Sequence, residues 1–67
     1  MTDEERIIRC DDIGHWVIEL VVQIDEPLVR IYNGTTGYYT EDYFTLLDEA
    51  ETAFYMAVSL LRTTVEG

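Results

Sequence analysis

From residue 15 to residue 24 the chain alternates. Trp16, Ile18, Leu20, Val22 and Ile24 fall on one face, and His15, Val17, Glu19, Val21 and Gln23 on the other, which predicts a strand with one core-facing side. After residue 40 the period lengthens. Tyr43, Leu47, Ala50, Phe54, Ala57 and Leu61 share one stripe at helical spacing, with Leu46, Ala53 and Val58 beside it, so a helix is expected over 43–61. Thr40 suits its N-cap, Glu41 and Asp42 its positive end, and Arg62 its negative end. The alanines at 50, 53 and 57 allow a close approach to a sheet.

The shorter segments complete a simple order. Residues 1–5 read as a frayed polar start, and 6–10 (RIIRC) as a β-prone stretch. The segment 11–14 (DDIG) reads as a turn, 25–27 (DEP) as another, and 28–32 (LVRIY) as a strand. Asn33-Gly34 is a hairpin signal, and 35–39 (TTGYY) can return as a short fourth strand. The expected fold is therefore a single α+β domain over 1–67. A three-stranded antiparallel sheet, four-stranded if 35–39 pairs, carries one C-terminal helix on the face of Trp16.

Pattern also constrains register. With Glu26 and Pro27 at the tip, Ile24 faces Val29 and Val22 faces Ile31, while Arg30 and Tyr32 take the opposite face. A one-residue slip would carry Arg30 into the core at a large desolvation cost. Two arrangements of the first hairpin stay open. An even loop sets Arg6 opposite Glu19 and Cys10 opposite His15; an odd one sends Ile8 and Cys10 into the core.

One helix does not cover everything apolar here. Phe44 and Tyr55 join Asp48, Glu51 and Arg62 on a second helical line expected to face outward, Met56 lies off the stripe, and Val17, Val21 and Tyr32 occupy the sheet's other face. Contiguous apolar surface of this kind marks contact with another chain, so a homodimer or another partner is expected.

Charge narrows the partner. Fourteen Asp and Glu face four Arg and no Lys, for a formal net charge of −10. Such a surface repels nucleic acid and anionic membranes and attracts basic proteins. Hydrophobic content of 48% is that of a folded chain. The single cysteine, Cys10, allows no internal disulfide, and no signal peptide is read, so a reducing, cytoplasmic setting is expected. Halophilic solvation is the competing account of the acidity.

Catalytic constellations do not assemble. A Cys10–His15 dyad would lack an orienting third group. Asp11, Asp12 and His15 match no zinc or calcium spacing. The NGTTG stretch does not join a strand to a phosphate-binding helix. Neighbouring carboxylates such as Glu41–Asp42 and Asp48–Glu49 diverge by about 100° on a helix. No enzyme, cofactor or metal is expected. The expected partner-binding residues are Asp11, Asp12, Asp25, Glu26, Asp48, Glu49 and Glu51, with Phe44 and Tyr55 as apolar anchors.

The strand–strand–strand–helix order, with Trp16, Arg30, Phe44, Glu49-Ala50, Ala53-Phe54 and Ala57, resembles plant ethylene-response-type DNA-binding domains and the arm-site domains of tyrosine integrases over residues 14–62. Those domains read DNA with basic sheet residues, whereas this sheet offers only Arg6, Arg9 and Arg30; the fold carries over and direct DNA binding does not. The same order is similar to HicB-type antitoxins, whose acidic domain neutralises a basic toxin. In size and charge the chain resembles small phage-encoded inhibitors, including anti-CRISPR proteins and DNA mimics. That resemblance implies a non-enzymatic protein that blocks a basic nucleic-acid-binding protein.

Overall fold

A computed structural model describes residues 5–24 and 26–66, with the backbone alone at Glu66. Four strands and one helix follow in chain order: β1 (Glu5–Ile13), β2 (Trp16–Gln23), β3 (Glu26–Asn33), β4 (Tyr39–Tyr43) and α1 (Leu47–Glu66). The strands form one antiparallel sheet in the order β1-β2-β3-β4. The helix lies across β1, β2 and β3. The α+β fold expected from the change of period is the observed one, with the fourth strand present.

The core sits between sheet and helix. Ile13, Ile18, Leu20 and Val29 meet Ala50, Phe54 and Val58, and Ile31, Phe44, Ala53, Ala57 and Leu61 pack around them. Alanine at 50 lets the backbone of α1 approach the sheet while Phe54 fills the space beyond it. The helix ends near the β1–β2 turn, where a Cβ on Gly14 would sit 3.5 Å from Val65 Cγ1. Gly14 has φ 62, the left-handed backbone that a two-residue turn between Ile13 and Trp16 requires.

Each hairpin departs from its sequence reading in a definable way. Asp11 and Asp12 belong to β1, and the first turn is Gly14-His15. The register shifts between Ile7 and Arg9, so the two ends of β1 present opposite parity to the sheet. Cys10 therefore pairs with Glu19, not His15, and neither open arrangement of that hairpin is the observed one. In the second hairpin Glu26 and Pro27 pair with Gln23 and Val22, so the tip lies earlier than expected. Leu20 faces Val29 and Ile18 faces Ile31, a displacement that preserves the assignment of faces.

The third connection holds the largest correction. Asn33 is buried opposite Trp16, and its Oδ1 accepts the amides of Thr35 (2.8 Å) and Thr36 (3.1 Å). That side-chain clamp makes a longer loop than an Asn-Gly turn would, so the fourth strand begins at Tyr39 rather than residue 35. Thr40 to Tyr43 are then strand, not cap and first helical turn. The Phe44 amide donates to the Pro27 carbonyl at 2.9 Å, and the Leu46 carbonyl accepts the amides of Glu49 and Ala50 as the helix begins. Asp48 and Glu49 occupy its positive first turn. Arg62 lies a turn short of the C-terminal end, where no basic residue stands.

Candidate functional site

The sheet face away from α1 is organised by one cation. Arg30, central on β3, donates from Nη1 to Glu19 Oε1 at 2.9 Å and from Nε to Glu41 Oε2 at 3.2 Å, and its Nη2 bonds Glu5. Register explains the convergence: Glu19 and Glu41 are the direct cross-strand partners of Arg30 on β2 and β4. Glu5 is thereby fixed in the structure rather than frayed; residues 1–4 lie outside the described residues.

The bonds to Glu5, Glu19 and Glu41 hold Arg30 above the usual guanidinium range, against a desolvation that works the other way. Tyr39 and Tyr43 add their hydroxyls to Glu41, at 2.6 and 3.1 Å. Those two hydrogen bonds, with Arg30, hold the Glu41 carboxyl below its ordinary value. Val21 and Leu28 face each other on this same side, fully buried though no helix covers them.

The network absorbs three of the carboxylates and one of the four arginines. Tyr43, expected in the helical core stripe, is about half exposed on this face and serves Glu41. No side-chain polar atom is buried without a partner among the described residues.

The expected partner-binding residues divide between two ends of the sheet. Glu26 begins β3, and Asp48 and Glu49 begin α1, close to the point where Phe44 bonds Pro27. These three lie toward one end, Glu26 on the sheet face of Leu28 and Arg30, and Asp48 and Glu49 on the helix over the other face. Asp42, exposed and last but one in β4, joins them there; sequence reasoning missed it by assigning it to the helix. Asp25 is outside the described residues. Among those residues none of Glu26, Asp42, Asp48 and Glu49 has an ion-pair partner. Asp11 and Asp12 lie toward the opposite end, across from Ile18 and Val17. Glu51 is half-buried further along the helix.

The two apolar anchors also separate. Phe44 is not outward-facing: the β4–α1 connection turns it against the core. Tyr55 is half exposed, edge-on to Phe54 at 5.5 Å, with the Arg9 guanidinium 5.6 Å from its ring centroid.

No group of three His, Cys, Asp or Glu side chains suited to a metal ion occurs among the described residues. The exposed Cys10 thiol is pushed up, first by partial burial and then by Asp12, Glu19 and Asp11, which opposes thiolate formation. None of the described helices is long and apolar enough to cross a membrane. The chain matches no protein-family model, no curated protein and no solved structure.

Proposed function

We propose that this protein is a non-enzymatic binding protein that blocks a basic nucleic-acid-binding protein, in the manner of the small acidic phage-type inhibitors it resembles. The observation that supports this most is that Glu26, Asp42, Asp48 and Glu49, from three elements and both faces of the sheet, lie toward one end of the molecule without an ion-pair partner among the described residues. Arg30 offsets only one of the three carboxylate charges it binds, so the sheet face stays negative, whereas Glu26, Asp42, Asp48 and Glu49 have no ion-pair partner at all among the described residues and no part in that network. A basic channel meeting that end exchanges phosphate oxygens for carboxylate oxygens and releases its nucleic acid. Cytoplasmic residence follows from such a partner, and no cofactor enters.

The test is co-purification from host lysate, then addition of this protein to the captured partner loaded with labelled nucleic acid. Release of the label, weakening as salt rises, supports the reading. No release, from a protein that folds normally at low salt, refutes it. A protein that folds only at molar salt points to halophilic solvation instead.

A further inference from the structure

The middle of α1 carries no charge. Residues 52–61 (TAFYMAVSLL) form ten consecutive helical positions, solvent side included, without an Asp, Glu or Arg, in a chain that is 27% charged. Within this stretch Met56 and Leu60 are the most exposed large apolar side chains of the helix, at 66% and 67%. They stand on the flank opposite Tyr55, together with Ala53 and Thr63. The groove beside them, between α1 and the sheet, is lined by Trp16, Ile31 and Tyr38. The hydroxyls of Thr52, Thr63 and Thr64 turn back onto the carbonyls of Asp48, Ser59 and Leu60 (3.1, 3.0 and 2.9 Å), leaving their methyl groups outward.

We propose that the α1 flank of Ala53, Met56, Leu60 and Thr63 is the contact between two copies of this chain, packed helix against helix about a two-fold axis. Spacings of three, four and three make a seam at coiled-coil period. An antiparallel pairing centred near Val58 sets Met56 against the second copy's Leu60 and Ala53 against its Thr63. Large meets large at the centre and small meets small outside it, so the surface is complementary to itself, as a two-fold contact requires.

Charge selects this occupant. A basic partner seated here would strip water from its Lys and Arg with no carboxylate to receive them. A second copy of so acidic a chain can approach closely only where charge is missing, and this flank is such a place.

The sheet edges offer poorer routes. Antiparallel pairing of β4 with its copy about Glu41 sets Glu41 directly against Glu41, a destabilising cross-strand pair. It would also hold the two helices roughly 24 Å apart, five strand spacings, beyond helix contact. The edge of β1 is interrupted by its register shift at Ile7 to Arg9.

Sedimentation equilibrium of the full chain under reducing conditions tests this. The expected mass at high concentration is twice that of the chain. Because salt screens the repulsion between two acidic copies, the dissociation constant should fall as salt rises, opposite in sign to binding of a basic partner. Met56→Glu and Leu60→Glu, at positions two-thirds exposed in the single chain, should each fold normally and weaken the dimer by about 100-fold. Tyr55→Glu on the other flank should leave it intact. A monomer at every concentration and salt overturns the proposal, as does a dimer that survives both flank substitutions or dissociates with Tyr55→Glu.

Discussion

Arg30 and Glu19 stand directly opposite each other on β3 and β2, joined at 2.9 Å with side chains only 16% and 10% exposed. They are the most enclosed ion pair described, and they sit where the sheet face has no helix above it. Removing one partner strands the other charge. Arg30→Met should cost about 3 kcal/mol in urea unfolding, the lower end for a broken buried pair. Arg30→Met combined with Glu19→Leu should recover most of that loss, because no enclosed charge is left alone. A double variant no better than the single one would show that Arg30 acts through Glu5 and Glu41 instead.

The same network predicts a stability profile against pH. Glu41 has its carboxyl lowered by Tyr39, Tyr43 and Arg30 from an ordinary value of 4.5. Its contribution is therefore complete above pH 4.5 and disappears as pH falls through the lower, folded value. Tyr39 and Tyr43 are raised from 10.0, each chiefly by its hydrogen bond to Glu41. Their contribution is complete below pH 10 and is lost as pH rises through the higher, folded values. Thermal unfolding of Tyr39→Phe/Tyr43→Phe should show a weaker dependence at both limbs, and an unchanged acid limb would contradict the assignment to Glu41.

Ile24 follows β2 with φ 45, a left-handed conformation that a β-branched residue adopts at a cost, and its side chain is 73% exposed. Ile24→Asn should raise stability by about 1 kcal/mol, since Asn tolerates this conformation and little packing is lost. Gly14→Ala, where φ is 62, should act in the opposite direction by a similar amount, about 1 kcal/mol. Denaturant midpoints at constant m-value check both.

Cys10 sits opposite Glu19, with its thiol raised and His15 in the neighbouring turn. Cys10→Ser should leave partner binding unchanged. Loss of binding from a normally folded Cys10→Ser protein would return the thiol to consideration as a functional group.

Much of this architecture was written in the periodicity. Alternation assigned the faces of β2 correctly over 16–23, though Ile24, expected on the core face, lies in the turn and is exposed; the cost of burying Arg30 placed it on the open face, where it is found. The register of that hairpin was less legible, because displacement by an even number of residues keeps every face and changes only the pairs. The β1 register shift falls where the adjacent Ile7 and Ile8 break alternation, a signal that reading 6–10 only as β-prone did not use.

The start of the helix was misread for a different reason. Thr40, Glu41 and Asp42 are the residue types of a helix N-terminus, yet Tyr39, Glu41 and Tyr43 alternate at strand period and find Arg30 and Tyr32 on β3. That alternation was the available signal. It also hid Asp42 from the candidate site and made Phe44 look like an outer anchor.

The central claim is that one end of this molecule engages a basic protein, and comparing its two ends tests it most directly. Nucleic-acid release from the captured partner should be measured with Glu26→Gln/Asp42→Asn/Asp48→Asn/Glu49→Gln and, separately, with Asp11→Asn/Asp12→Asn. The account predicts that the first variant, folded as wild type, loses release by at least about tenfold in potency, a change of roughly 1.4 kcal/mol, while the second retains it. Equal potency of the first variant and the wild type would contradict the account.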